Sequence, residues 1–208
     1  MKKLILAMTI GIFGCLKAND LTKTDKSYEK VAQTGDLIFQ TEIGRSQALA
    51  IQAATLSPYN HVGVVVKEGD KFYVYEAHGP VKKISLKKYV HRKGTGSRFV
   101  VYRHDDINQK HYTKIKRYVK RQVGKPYDSY LRWSNSSIYC SELGYKALGS
   151  AGLELNEPNK IKDLKFATSV GKLIPNGYKL NSLKTEDYVV APSHLTRDAN
   201  IYKVYQNW

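Results

Sequence analysis

The sequence predicts an α+β domain, and three observations carry that reading. His61 to Val66 (HVGVVV) and Phe72 to Ala77 (FYVYEA) lie on either side of Glu68-Gly69, the pattern of a β-hairpin. Leu37 to Gln40 and Arg98 to Arg103 are further short runs of strand type. Segments with apolar residues at helical spacing stand apart from these strands, the most informative of them beginning at Cys140. Hairpin-linked strands with separate helices packed beside them make an α+β layer.

Taken in order, Ser27 to Thr34 is a polar lead-in, and Gly35-Asp36 opens the strand Leu37-Ile38-Phe39-Gln40. Arg45 to Leu56 places Leu49, Ala50, Ala53, Ala54 and Leu56 on one face, which predicts an amphipathic helix. Ser57-Pro58-Tyr59-Asn60 breaks it before the hairpin. Gly79-Pro80 turns the chain into a short strand at Val81 to Ile84 and a helical turn at Leu86 to His91. Lys93 to Ser97 is a connection whose glycines lack the spacing of a phosphate-binding loop. After the strand Arg98 to Arg103, Asn108 to Val123 is a helix with Tyr112, Ile115, Val119 and Val123 in its stripe. Gly124 to Tyr127 ends it. In the cysteine helix Leu143, Ala147, Leu148 and Ala151 keep the spacing, Ser134 to Ser137 offer caps, and Gly149 and Gly152 stop it. Tyr188 to Pro192 and Ile201 to Tyr205 read as late strands.

The first residues stand outside this domain. Lys2 and Lys3, the apolar run Leu4 to Phe13, and small positions at Gly14, Cys15 and Ala18 have the form of a bacterial export signal. Cleavage after Ala18 leaves residues 19–208 as one soluble domain. Cleavage before Cys15 leaves a lipid-anchored one. Either way the mature chain has no cysteine partner for Cys140, and a lone thiol in an exported protein marks a reactive group.

The chain of 208 residues carries a formal net charge of +16. Export argues against nucleic acid as the partner and for an anionic envelope surface. The densest basic group, Lys110, Lys114, Lys116, Arg117, Lys120, Arg121 and Lys125, falls on a helical segment, where a solvated face is the plain alternative. His78, His91, His104, His111 and His194 show no metal-ligand spacing, so neither metal nor cofactor is expected.

Catalytic chemistry is expected from three residues. Cys140 at a helix start has its thiolate stabilised by the free N–H groups and the positive end of the dipole. A two-residue loop at Glu68-Gly69 pairs Val64 with Tyr73 and Val62 with Tyr75, and sets His61 directly opposite Glu76. The face they share carries Gly63, Val65, Phe72 and Val74, so it looks inward, and a carboxylate there needs a partner. Glu76 can hold one imidazole nitrogen of His61 and leave the other for the thiol.

Several segments together resemble a known family: GDLIFQ, ATLSPYNHVGVVV, YVYEAHGPV with the basic ISLKKYVHR after it, GKPYD, IYCSEL and VVAPSHL, from about Gly35 to Leu195. They are similar to the YiiX/YebB-like group of permuted papain-fold cysteine hydrolases in the NlpC/P60 superfamily. Papain-like enzymes have the cysteine first in the chain, whereas here it comes last. The resemblance implies a small antiparallel sheet or half-barrel packed against the cysteine helix, with Cys140 as nucleophile, His61 as base and Glu76 as the orienting carboxylate. It implies an amide-cleaving hydrolase of the envelope. A lipid acyltransferase or esterase with the same triad, or a non-catalytic envelope-binding module, stands beside that reading.

Overall fold

A computed structural model describes residues 27–42, 46–92, 98–160, 162 and 186–207. The export-signal pattern at residues 1–18 and the connection Lys93 to Ser97 lie outside the described residues. The strands are β1 (Leu37–Gln40), β2 (His61–Glu68), β3 (Lys71–Ala77), β4 (Val81–Ser85), β5 (Phe99–His104), β6 (Asn159–Lys160), β7 (Tyr188–Val189) and β8 (Ile201–Gln206). The helices are α1 (Ser46–Thr55), α2 (Leu86–Val90), α3 (Gln109–Gln122), α4 (Cys140–Gly149) and α5 (Pro192–Thr196). Six strands form one sheet in the order β4-β3-β2-β1-β5-β8, every pair antiparallel, and β6 pairs with β7 apart from it.

The sheet is covered on both faces. Strand alternation sends Leu37, Phe39, Val62, Val64, Val66, Tyr75 and Ala77 into one core with Ile115 and Val119 of α3 and Leu143, Ala147 and Leu148 of α4. It sends Ile38, Val65, Val74, Phe99 and Val101 into a second core with Tyr28 and with Leu86, Tyr89 and Val90 of α2. The predicted inward face of His61 is therefore buried, beneath α2. The cysteine helix packs on the opposite face.

The hairpin forms, with a register two residues from the predicted one. Glu68 pairs with Lys71 and Val64 with Tyr75, so the loop is Gly69-Asp70. Gly69 has φ 58°, and glycine is favoured as the first residue of a two-residue loop because it enters the left-handed region without a clash. A slip of two keeps every side chain on its face. Gly63 has no room for a side chain, since a Cβ there would lie 2.3 Å from Val74 Cγ1.

Other differences are local. α1 forms, but Leu49 and Leu56 are 60% and 64% exposed, so the expected apolar face of this helix does not enter the core. Arg197 Nη2 bonds the carbonyls of Thr55 and Leu56 and fixes the end of α1. Asn108 and Val123, the expected ends of α3, are its N-cap and C-cap, and Val123 is 49% exposed rather than part of the stripe. The expected late strand Tyr188 to Pro192 ends at Val189, and Pro192 begins α5. The Tyr28 and Tyr205 rings lie 5.4 Å apart, which brings the beginning and the end of the described chain together.

Candidate active site

Cys140 is the first residue of α4 and is 5% exposed. Two bonds to one peptide unit hold that helix start. Val190 N–H donates to Tyr139 Oη at 3.0 Å, and Ser141 Oγ donates to Val190 O at 2.7 Å. The late VVAPSHL motif is thus a brace for the cysteine. Tyr139 is the N-cap, and its N–H reaches the Glu142 carboxylate at 3.3 Å. Ser134 to Ser137 lie upstream and do not cap the helix. Ser134 instead gives its carbonyl to Lys146 Nζ at 2.9 Å.

His61 opens β2 beside the end of β1, where Gln40 is its paired residue. Its Nε2 lies 2.7 Å from Glu76 Oε2. The two are diagonal neighbours on one face rather than directly opposed, since Glu76 faces Lys82 on β4 and β3 is shifted relative to the predicted register. The Cys140 side chain is the other hydrogen-bonding partner of His61. Burial alone would lower the imidazole pKa, but the bonds to Cys140 and Glu76 and their charges raise it to about 9. The structure therefore brings Cys140, His61 and Glu76 together, with Nε2 engaged by the carboxylate and Cys140 also acting on the imidazole.

Tyr89 of α2 stacks on the imidazole at 5.9 Å, and its hydroxyl is tied to Ile38 O at 2.9 Å. The ring of His61 is thus fixed from below as well as at one edge.

Tyr89 and Arg92 are site residues that sequence reasoning missed. Arg92, just after α2, donates to Glu76 Oε1 and also faces Glu42 Oε1 at 3.6 Å. Lys82 Nζ stands 3.7 Å from the same Glu76 oxygen. Burial would raise the Glu76 pKa, but the bonds and charges of His61 and Arg92 hold it down at about 2. Glu42 in turn accepts from His78 Nε2 at 2.8 Å, and the His78 ring stands edge-on to His61 at 5.4 Å. The signal for Arg92 was the need itself: a carboxylate with no exposed surface requires a cation beyond one imidazole. Nothing in the local spacing said which of the many basic residues would supply it.

Residues 31–205 match the family model described as permuted papain-like amidase enzyme, YaeF/YiiX, C92 family.

The chain belongs to this family.

A relative in it is YiiX of Escherichia coli strain K12, 36% identical over 180 residues, which cover 85% of this chain and 87% of YiiX. The crystal structure of YiiX from Escherichia coli O157:H7 aligns with a TM-score of 0.77 at 34% identity, covering 85% of this chain and 98% of that one. The permuted papain-like fold and the α+β class are thereby established for this chain, with the six-stranded antiparallel sheet as its frame.

The O157:H7 YiiX structure is described as a metalloprotein. Among the described residues here, one group has its ligand atoms close enough for a metal: His104, Asp105 and Asp106, within 4.8 Å of one another. It does not fit a metal. His104 Nε2 donates to Glu154 O at 2.7 Å, and Nδ1 accepts from Asp106 N–H at 3.2 Å, so neither nitrogen has a free lone pair.

Proposed function

We propose that this amidase-family protein is an exported cysteine hydrolase that cleaves an amide bond in the cell envelope. The observation that carries the reading is the His61 ring, held between Glu76 Oε2 at 2.7 Å and the Cys140 side chain at the start of α4. The leader pattern at residues 1–18 supports delivery to the envelope.

The steps follow from the groups. His61, whose pKa is raised to about 9, already holds the proton given up by the Cys140 thiol at neutral pH, and the Glu76 carboxylate stabilises that imidazolium. The thiolate attacks the carbonyl carbon and forms a tetrahedral oxyanion. Helical bonding in α4 begins with Leu143 N–H to Tyr139 O at 2.9 Å. The N–H groups of Cys140 and Ser141 precede that bond and are the donors available to the oxyanion. His61 then protonates the leaving amine, and the C–N bond breaks to leave a thioester on Cys140. His61 next removes a proton from water, which attacks the thioester and releases the acid and the thiol.

An acyl ester of a lipid is the second reading, with one observation behind it. Only Leu56 to Asn60 separate the end of α1 from His61, and the run from Ser46 to Asn60 holds no charged residue while exposing Leu49 and Leu56.

The test is a thiol-reactive acyl probe, followed by product analysis with wall peptides and with phospholipids as separate substrates. Labelling at neutral pH is expected on Cys140, lost in Cys140→Ala and strongly reduced in Glu76→Gln. Turnover by Cys140→Ala above a few per cent of wild type would exclude the cysteine as nucleophile. Cleavage of phospholipid but not of wall peptide would replace the amidase reading with the esterase one.

A further inference from the structure

The helix α3 reads QKHYTKIKRYVKRQ, with six cationic residues and no acidic one. Its buried side is settled by Ile115 and Val119, both fully enclosed, with Tyr112 and Tyr118 packed against the same core. On the outer side Lys110, Lys114, Arg117 and Arg121 are all exposed. Steps of four, three and four residues put them in one straight line, about 16 Å long at the helical rise. None of the four has an acidic partner among the described residues. Lys120, off this line, is by contrast 3.2 Å from Glu68. Like charges stacked at this spacing repel one another and cost helix stability. A line that no carboxylate neutralises is complementary to an external array of anions.

We propose that α3 docks the protein on a membrane surface rich in anionic lipid headgroups, with the line Lys110–Lys114–Arg117–Arg121 lying against the phosphates. The line is convex, as the outside of a helix must be, so it suits a plane and not a strand threaded through a groove. It carries no aromatic ring on which a base could stack, because the tyrosines of α3 turn to the core. Lysine and arginine at the headgroup level donate charge-assisted hydrogen bonds to phosphate oxygens. Each cation near such a surface contributes about fivefold to the binding constant. The remaining charge of a +16 chain adds a long-range attraction that brings the protein to the surface without choosing which face lands.

The experiment is vesicle flotation with the full chain carrying Cys140→Ser, so that no turnover intervenes. Vesicles are phosphatidylcholine alone or with about one-third phosphatidylglycerol. Binding is expected only with phosphatidylglycerol, and it should weaken steadily as salt rises through the range where the screening length falls below about 10 Å. Replacing Lys110, Lys114, Arg117 and Arg121 by Gln should lower the binding constant by roughly a hundredfold or more. Glutamine is close to lysine and arginine in helix propensity, so the melting temperature should hold. A control removes the same charge from Lys67, Lys71, Lys87 and Lys88, exposed lysines of other elements, and should lose far less. Equal losses in the two variants would overturn the proposal, since net charge alone would then explain binding. So would wild-type binding that ignores phosphatidylglycerol, or a soluble polyanion that displaces the protein at matched charge. Should the fourfold variant melt early, Arg117→Glu in the middle of the line gives the same reading. The outcome does not depend on catalysis. A failed hydrolase assay leaves the docking result standing, and the reverse is also true.

Discussion

Two glutamates serve the same corner of the molecule, both with no exposed surface, and the protein shifts their pKa values in opposite directions. Glu76 supports His61 from β3, and Glu142 sits two residues after the thiol on α4. Burial pushes both upward. For Glu76, His61 and Arg92 more than reverse that push and hold its pKa at about 2. For Glu142, burial wins and the pKa rises to about 7, although Lys146 at 2.6 Å and the Tyr139 N–H pull it down. Asp128 adds to the rise. The difference is the number of cations: Glu76 has Arg92, Lys82 and an imidazolium, while Glu142 has a single lysine that also bonds Ser134 O. A buried carboxylate is a permanent anion only where it is over-supplied with positive charge. Glu76 is built for that task, and Glu142 is built as part of a helix start.

The largest expected effect is on rate. Glu76→Gln should lower kcat/KM by roughly 10²- to 10⁴-fold, because the amide can hold the ring but cannot stabilise the imidazolium. The basic limb of the pH profile, set by an imidazole near 9, should move to lower pH in that variant. Glu142→Gln should leave the rate within about tenfold of wild type. Equal losses in the two would break the comparison and make Glu142 part of the chemistry.

Next is the cost of removing a cation. Arg92→Met leaves Glu76 short of charge and should destabilise the protein by about 3 kcal/mol in urea unfolding. Arg92→Lys should recover part of that, and in a Glu76→Gln background the loss should shrink sharply. An undiminished loss in the double variant would mean that Arg92 acts through Glu42 or packing.

The smallest effect is on stability against pH. The folded pKa of Glu142 is raised from 4.5 to about 7, so its protonated form favours the fold. That contribution is fully present below pH 4.5 and is lost as pH rises through 7. Glu76 runs the other way: its contribution is present above 4.5 and is lost as pH falls through 2. Melting curves of wild type and Glu142→Gln should therefore diverge between pH 4.5 and 7, the wild type losing ground as pH rises. Parallel curves would show that Lys146 already neutralises the group.

Much of this was legible in the sequence, for reasons that differ by element. The parity of His61, Gly63, Val65, Val74 and Glu76 put the two site residues on one buried face, and parity survives a slip of two. The register itself was misjudged because Glu68 looked like a loop residue. In fact it closes the ladder and anchors Lys83 and Tyr75. Cys140 at a helix start was readable from the spacing of Leu143, Ala147 and Leu148, all fully buried. Which face of the sheet the helix would cover was not, since both faces of β2 are apolar. Leu49 and Leu56 had the period of a core helix and face solvent, because periodicity reports a stripe and not what covers it. Arg92 and the Val190 brace are long-range contacts with no local pattern.

The contact between Tyr28 and Tyr205 bears on how the chain could be rewired. With these rings 5.4 Å apart, a short linker could join Gln206 to Ser27 without crossing the molecule. New ends could then open at Asn135-Ser136, an exposed stretch just before α4. The rejoined chain would meet Cys140 first, then His61, then Glu76, the cysteine-first order of unpermuted papain-like enzymes. The groups of the site come from elements that dock as finished pieces, so the catalytic corner depends on their packing and not on the sequence in which the ribosome supplies them. Circular permutation would leave the chemistry where it is and change only which piece waits for the others during folding.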